Sequence, residues 1–371
     1  MKTKSPSRLF YIDNLRIFLI SLVVLHHLAI TYGAPGGWYY IESPADFPLI
    51  ILMATFVASN QAFFMGMFFF VSALFVVPSL SRKGSKKFIA DRLIRLGIPM
   101  VVFYFLLSPL AVYMLIHFIR HEEPGFWHVL KEGWGRDFGP LWFVEALLLF
   151  TAVYLALRKI LPKVEIRFPR TPAIIVTALL MGFAQFVIRI WLPVGWSMPF
   201  TGFQLPFFVQ YVVLFALGII AWQNKWLDDL SPKAGRNWFI TAQVLILVAF
   251  PLMAYFGGVD KGTDAFVGGL QWQSLAYALW EQLLCVSMVL GLLGIAKKYF
   301  NTQGKTATKL SAAAYGVFVI HTLVLIGLSA LFLNWQPPQL LKFLALAPLA
   351  LLISFNMAWL IKQVPEVKQV M

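Results

Sequence analysis

The chain has 371 residues, of which 60% are hydrophobic and only 12% are charged. Because soluble domains carry about 25% charged residues, this composition excludes an ordinary soluble globular protein. The formal net charge is +14, but the lysines and arginines are concentrated in alternate loops, which argues against a nucleic-acid-binding protein and for a membrane protein.

Ten apolar segments predict ten membrane-spanning helices, because each approaches the roughly 20 residues that cross a bilayer. The segments lie near residues 9–32, 60–80, 96–118, 139–161, 171–192, 205–222, 237–256, 272–296, 310–333 and 339–362. The stretch 47–80 is too long for one crossing, so we expect residues 47–59 to form a separate surface or partly inserted helix, with a break at 59–61. The predicted fold is an all-α, polytopic helical bundle that forms one transmembrane domain over residues 1–371.

Basic residues predict the orientation of this bundle. They are concentrated in the N-terminus, in four alternate loops and in the C-terminus, whereas the loop 33–48 contains none. The positive-inside rule then places both termini in the cytoplasm. The first apolar segment has no small-residue cleavage site after it, so we expect a multi-pass protein of the cell's inner (plasma) membrane that keeps this segment.

The first apolar segment, 9–32, carries four ionisable residues, Asp13, Arg16, His26 and His27. Such groups are costly in lipid unless they face the protein interior or water, so they mark a candidate functional site. The spacing of Arg16 and His27 puts them within about 20° on one helix face and roughly 16 Å apart along the axis. Asp13 falls near this stripe, whereas His26 points about 100° away, so His27 is the preferred candidate.

Arg92 and Arg95 follow a basic loop at the start of the third span. Three residues apart on an α-helix, they would share a face and form a two-pronged clamp for a phosphate or carboxylate. The alternative is that they contact lipid head groups, as basic residues at the cytoplasmic ends of helices commonly do.

Four further ionisable residues lie inside later spans, namely Glu145, Arg189, Glu281 and His321. From the span directions, the first three reach roughly the depth of His27. Three of these residues also have a simpler interpretation. Glu145 would sit at the interface, Arg189 would snorkel outward, and His321 would be a structural hydrogen-bond donor.

No metal site or bound cofactor is predicted. His121 and His128 lie near two glutamates in the loop 119–138, but their spacing matches no metal-binding pattern, which favours a solvated loop. The single cysteine, Cys285, excludes an intrachain disulfide and a cysteine-based zinc site.

Four stretches resemble the membrane acyltransferase type three family, and within it the branch of the succinyltransferase of periplasmic glucans. The stretches are residues 11–16 (YIDNLR) followed by His27, residues 68–74 (FFFVSAL), Arg92-x-x-Arg95 before residues 96–99 (LGIP), and residues 314–321 (AYGVFVIH). The first and third are fairly specific in combination, and the four together span nearly all ten predicted helices.

Two positions depart from the family's pattern. Ala73 stands where the family usually has glycine, which is a mild change. Glu145 follows Trp142 in the stretch LWFVE, where the better-known branch has a longer pattern. The second departure affects the register of the carboxylate that the resemblance would assign to catalysis.

The resemblance implies an O-acyl transfer in which the acyl group of cytoplasmic acyl-CoA reaches a hydroxyl, usually of a carbohydrate or glycan, on the far side of the membrane. It assigns Arg16, Arg92 and Arg95 to binding of the acyl-CoA, which is a substrate rather than a bound cofactor. It assigns His27 to the family's essential histidine. The expected partners are the lipid bilayer, acyl-CoA and a glycan acceptor, without nucleic acid, and the acyl group, O-acetyl or succinyl, is left open.

His27 also suits this reaction on chemical grounds, because a base must take the proton of the attacking hydroxyl and histidine works near neutral pH. A carboxylate on its other ring nitrogen would hold the tautomer, with Glu145 as the first candidate and Glu281 as the second. The residues expected around this pair are Asp13, Arg189, Glu281 and His321. A covalent acyl-histidine is an open alternative, and so is a different class of protein, a proton-coupled transporter of an organic anion.

Overall fold

The computed structural model describes residues 9–160 and 165–370. Among these residues, ten α-helices are long and apolar enough to cross a membrane, which confirms the predicted all-α bundle with ten spans. In chain order they are α1 (Phe10–Thr31), α2 (Leu49–Lys83), α3 (Ser85–Ile119), α4 (Gly139–Leu157), α5 (Thr171–Arg189), α6 (Leu205–Gln223), α7 (Pro232–Phe256), α8 (Trp272–Tyr299), α9 (Lys305–Leu331) and α10 (Gln339–Ile361). The three basic N-terminal residues used for the topology prediction lie outside the described residues.

Helix α2 is interrupted, as the length of its apolar stretch predicts. It consists of the segments Leu49–Gln61, Phe64–Leu74 and Val76–Lys83. The first interruption falls at residues 62–63, directly after the predicted break. A backbone carbonyl freed inside a membrane protein needs another donor, and the side-chain amide of Gln210 on α6 donates to the carbonyl oxygen of Ala62 at 2.7 Å. The kink is therefore held by a neighbouring helix.

Helices α3 and α7 contain π-helical turns that accompany prolines. The segments Leu93–Gly97, Phe103–Leu107 and Leu245–Ala249 are each followed two residues later by a proline. Proline lacks an N–H and its ring clashes with the carbonyl four residues earlier, so the backbone shifts to wider i→i+5 bonding there. This local change matters for Arg95, which lies inside the first of these turns.

The helices divide into an interior and a periphery. The apolar stretches of α1, α8 and α9 are mostly buried inside the protein, whereas those of α5 and α7 are mostly exposed and present apolar side chains outward. The small-residue contact between α7 and α8 shows how closely the helices approach. A Cβ built on Gly235 would lie 2.6 Å from the Cα of Gly294, so this crossing requires glycine. His26 of α1, Glu281 of α8 and His321 of α9 are thus brought into the interior.

The loop between α1 and α2, residues 33–48, folds back over the end of α1, and we call it the strap. The backbone N–H of Glu42 donates to the carbonyl of Thr31 at 2.9 Å, and the N–H of Ala45 donates to that of Gly33 at 3.0 Å. The Gln339 side chain of α10 donates to the carbonyl of Pro44 at 2.9 Å. We call the end of the bundle that carries this loop the strap side, and the end that carries Arg16 the arginine side.

Candidate active site

His27 lies on the strap side of α1 and lines a cavity of about 640 Å³. This volume is in the range of small-ligand sites in proteins. The cavity is lined by α1, the strap, the first two segments of α2, α4, α6, α7, α8, α9 and the loops beside α6 and α8. Its wall is largely apolar and aromatic, with Phe64, Trp142, Phe207, Phe250 and Tyr277 among the lining side chains.

A hydrogen-bonded chain fixes the tautomer of His27. Nδ1 of His321 lies 2.8 Å from the carbonyl oxygen of Phe318, and Nε2 of His321 lies 3.1 Å from Nδ1 of His27. A carbonyl only accepts, so Nδ1 of His321 carries the proton and its Nε2, in the neutral ring, accepts. Nδ1 of His27 is then the donor. This assignment follows from the network of partners, and it leaves an unprotonated Nε2 on His27.

Nε2 of His27 is the ring nitrogen that the chain through His321 leaves unbonded. Among the described residues it has no hydrogen-bond partner, yet it is not one of the sealed polar atoms of the interior. Since His27 lines the cavity, a nitrogen with a fixed tautomer and no bonded partner belongs to the wall of a space in which a small hydroxyl compound fits. Such a nitrogen can act as a general base.

Trp38 of the strap covers one face of His27. The two ring centroids are 3.7 Å apart and the planes are tilted by only 14°, which is a stacked contact. The indole ring also lies nearly parallel to His321, at 5.7 Å. Such a face holds the imidazole plane and attracts the imidazolium that forms when His27 takes a proton. Trp38 was not predicted from the sequence, because a tryptophan in a loop after a span is typical of an interface anchor.

One carboxylate ties the strap to two helices. Oδ1 of Asp137 accepts hydrogen bonds from the hydroxyl of Tyr39, the hydroxyl of Ser108 on α3 and the backbone N–H of Gly139 on α4, at 3.1, 3.1 and 2.8 Å. Burial, and next the charge of Asp137, raise the pKa of Tyr39. The Tyr39 hydroxyl therefore stays protonated and donates, which fixes the residue next to Trp38.

A second anchor is the ion pair between Lys342 of α10 and Glu42 of the strap. Nζ of Lys342 donates to both carboxylate oxygens, at 2.7 and 3.0 Å, and its side chain is almost fully buried. The ammonium group also lies 5.3 Å from the ring centroid of Tyr32. A lysine deep in an apolar helix thus has its counter-ion in the strap. This ion pair explains why a charged side chain is tolerated inside α10.

The structure does not bring the two expected carboxylates to His27. The ring nitrogen that a carboxylate would hold is bonded to His321 instead. Glu145 lies in the first turn of the α-helical part of α4, and its Oε2 is buried without a partner among the described residues. Glu281 is engaged elsewhere by Arg189. Of the residues expected around the base, it is His321 that contacts it.

Arg189 and Glu281 form a separate buried cluster with two glutamines, and we call it the ion-pair cluster. Nη2 of Arg189 and Nε2 of Gln185 both donate to Oε2 of Glu281 at 2.7 Å, and Gln282 donates to Gln185 at 2.7 Å. All four side chains are fully buried, so Arg189 does not snorkel outward. Its guanidinium lies 4.9 Å from the ring centroid of Phe207, behind the aromatic wall of the cavity.

The three arginines lie on the arginine side, but they do not share one environment. Arg16 pairs with Asp13 at 3.3 Å and lies over the ring of Phe75. Arg92 is close enough to Arg16 to interact electrostatically. Arg95 is exposed and lies close enough to Lys362, at the C-terminal end of α10, for the two positive charges to repel each other. The α-helical geometry behind the predicted clamp does not hold here, because a π-helical turn starts directly after Arg92.

An apolar layer separates Arg16 from His27 along α1. The side chains of Leu19, Ile20, Val23 and Val24 are at most 2% exposed. A second cavity of about 1420 Å³ begins at the start of α1, between α4 and α6, and its polar lining includes Tyr11, Arg158 and Lys225. None of Arg16, Arg92 and Arg95 lines it.

A base open to a cavity, inside a ten-helix membrane bundle, is consistent with an enzyme that works on a hydroxyl compound within the membrane. The model of the acyltransferase 3 family, described as an acyltransferase domain, matches residues 9–359. The chain therefore belongs to this family and is a multi-pass membrane acyltransferase.

Its curated relatives include the glucans biosynthesis protein C of Salmonella gallinarum, of Salmonella schwarzengrund and of Salmonella enteritidis. Each is 23% identical over 344 residues, which cover 86% of this chain and 83% of the relative. No solved structure matches the chain significantly.

Proposed function

We propose that this protein is an O-acyltransferase that moves an acyl group from acyl-CoA to a hydroxyl of a carbohydrate, with His27 as the general base. The observation that carries the proposal is the Nε2 atom of His27. It faces the cavity on the strap side, and its unprotonated state follows from the bonds through His321 to the carbonyl of Phe318.

The reaction needs one proton carrier. The acceptor hydroxyl oxygen attacks the thioester carbon while Nε2 of His27 takes the hydroxyl proton, and the electron pair of the C=O bond moves onto the carbonyl oxygen. When this tetrahedral intermediate collapses, the carbon–sulfur bond breaks and the thiolate takes the proton from His27. The products are an ester and free CoA, and His27 returns to its neutral form. Throughout, the bond to His321 keeps Nδ1 as the protonated nitrogen.

The donor is proposed to bind from the arginine side, which the basic loops assign to the cytoplasm together with both termini. Arg16, Arg92 and Arg95 would contact the CoA phosphates, since guanidinium groups bind such anions well. The roughly 16 Å of helix between Arg16 and His27 is comparable to an extended pantetheine arm. The arm has to pass the apolar layer of α1, so donor binding is expected to displace side chains such as Ile20 and Val23.

The acceptor is proposed to enter the cavity on the strap side, which faces away from the cytoplasm in the inner membrane. The relatives named glucans biosynthesis protein C support a glycan as acceptor. The aromatic side chains of the cavity, Trp142, Phe207 and Tyr277, offer flat apolar surfaces to a sugar ring. In this proposal one transmembrane domain over residues 1–371 holds both substrates.

Purified protein in detergent tests the proposal with two acyl donors, acetyl-CoA and succinyl-CoA carrying an isotopic label in the acyl group, and a glucan oligosaccharide as acceptor. We expect release of free CoA together with a labelled ester on the oligosaccharide, detected by mass spectrometry and absent with His27→Ala. A transporter would make no ester. If labelled anion accumulates in proteoliposomes while neither donor yields product in detergent, the proposed function is wrong.

A further inference from the structure

The residue next to the proposed base, His26, has no part in the mechanism so far. It is buried, with 7% of its surface exposed, and it lines the same cavity as His27. Its ring centroid is 5.4 Å from that of His27, and the two planes are nearly perpendicular. On its other side it packs 5.1 Å from Phe64. A second imidazole therefore stands at the edge of the space in which the reaction is proposed to occur.

The two ring nitrogens of His26 are in different surroundings. Nδ1 is sealed in the interior and has no hydrogen-bond partner in the described part of the chain. Nε2 is not sealed, and no bond to a described residue occupies it. A buried N–H without a partner is rarer in proteins than an unpaired acceptor. The proton of neutral His26 is therefore on Nε2, which places an N–H donor toward the cavity.

We propose that His26 is a further catalytic residue, whose Nε2–H donates a hydrogen bond to the carbonyl oxygen of the acyl group. This inference rests on the proposed acyl transfer. As the hydroxyl oxygen attacks and His27 takes its proton, negative charge develops on the carbonyl oxygen, and the His26 donor stabilises that charge. When the C=O bond reforms and the thiolate leaves, His26 still carries its own proton. A donor placed in advance in a largely apolar site is worth far more than in water.

The geometry of the helix explains how two adjacent histidines can have different roles in the proposed reaction. Successive residues on α1 are rotated by about 100°, so His26 and His27 approach the cavity from different directions. One supplies a lone pair and the other an N–H. The Gln61 amide, also at the cavity, commits one of its two N–H donors to the hydroxyl of Tyr211, at 3.3 Å. His26 is the donor on the residue directly before the base.

The test compares variants that keep or remove a donor. His26→Phe keeps the ring shape without a donor, His26→Leu is a smaller donor-free replacement, and His26→Gln places an amide N–H near the position of Nε2. We expect His26→Phe and His26→Leu to lower kcat by about 10² to 10³-fold, as for loss of one oxyanion donor. The KM values for acyl-CoA and for the acceptor should change by no more than about twofold, because a bond that strengthens only in the transition state does not affect binding. His26→Gln should keep at least about a tenth of the wild-type kcat.

The exposed-loop variant His128→Phe serves as the matched control and should behave as wild type. All kcat values are divided by the folded fraction from thermal denaturation, and if the phenylalanine variant does not fold, the leucine and glutamine variants still decide. Wild-type kcat in either donor-free variant would overturn the inference, and so would an equal loss in the glutamine variant. If wild type and His27→Ala are both inactive with acyl-CoA, the proposed function itself fails. If only His27→Ala is inactive and the donor-free His26 variants are active, the His26 role alone fails.

Discussion

Two groups of polar residues lie inside the bundle, and only one of them lines the cavity. In the ion-pair cluster, Arg189 and Glu281 are fully buried and bonded to each other. In the second group, His27 is only half-buried and lines the cavity. The sequence marks both groups as costly intramembrane residues. The difference is that His27 lines the cavity, whereas Arg189 and Glu281 do not.

The ion-pair cluster has a structural consequence for the cavity. Burying two charges costs several kcal/mol per ion, which the pair offsets through short hydrogen bonds and aromatic contacts. The guanidinium of Arg189 lies against the rings of Phe207 and Tyr277, and both rings line the cavity beside His27. The cluster thus shapes the wall of the cavity in which the proposed reaction takes place.

Replacement of the base gives the largest expected effect. His27→Ala should lower kcat by at least about 10³-fold, because both general-base catalysis and the fixed orientation of the imidazole are lost. Acyl-CoA binding should be kept, since His27 lies beyond the apolar layer from Arg16. The measurement is kcat on purified protein together with acyl-CoA affinity by calorimetry. A normal kcat in His27→Ala, with the control His128→Ala unchanged, would show that the open nitrogen is not the base.

Removal of the tautomer-setting partner should have the next largest effect. His321→Phe should lower kcat by about 10² to 10⁴-fold with KM nearly unchanged, because His27 can then turn its protonated nitrogen toward the substrate. His321→Gln retains an acceptor near Nε2 and should recover part of the activity. The matched control is Thr322→Val, a buried neighbour on the same helix. Equal kcat in His321→Phe and wild type would mean that the chain through Phe318 does not set the tautomer.

Breaking the ion pair should affect stability instead of chemistry. Glu281→Gln or Arg189→Met leaves one buried group without its partner, which costs about 3–5 kcal/mol. The double replacement Arg189→Met with Glu281→Leu removes both charges and should recover much of that loss. Thermal denaturation measures the stability, and kcat per folded molecule should stay within about threefold of wild type. A stable single variant with a kcat as low as that of His27→Ala would show that the ion-pair cluster takes part in the reaction.

The sequence predicts those parts of this structure that depend on local rules. Hydropathy is a property of each segment, so the ten spans and the interruption of α2 follow from it. Helical phase fixes the separation of Arg16 and His27 along α1, and it correctly distinguishes the directions of His26 and His27. What it does not reveal is that the His26 direction also reaches the cavity, because that depends on where α2 packs.

The parts that the sequence does not predict depend on contacts between distant segments. His321 reaches His27 from a helix 294 residues later in the chain, and no spacing rule connects the two. The partner of Lys342 is Glu42 in the strap, which only the folded loop brings near. The prolines of α3 predict a distortion of the helix. They do not predict that this distortion is a π-helical turn that starts directly after Arg92 and contains Arg95.

The arginines should affect donor binding in an unequal way. Arg92→Ala and Arg95→Ala are both expected to raise the KM for acyl-CoA with kcat kept, because they remove binding that is similar in the ground and transition states. Arg92, which is near Arg16, should give the larger increase, on the order of tenfold for one lost charged contact. Calorimetry with acyl-CoA checks the affinity. If both variants bind it as tightly as wild type while His27→Ala does not, the donor binds elsewhere.

Trp38 should give the smallest of these effects, and it tests how the strap contributes. The stack on His27 stabilises the imidazolium by about 0.5–2 kcal/mol in a partly desolvated site, which corresponds to roughly a 2- to 30-fold change in kcat. Trp38→Leu should therefore lower kcat within that range and Trp38→Phe should recover part of it, with Trp127→Leu in the exposed loop as the matched control. The KM for the acceptor decides between two roles. If Trp38→Leu lowers KM and raises kcat, the strap obstructs the cavity; if kcat alone falls, Trp38 supports the protonated state of His27.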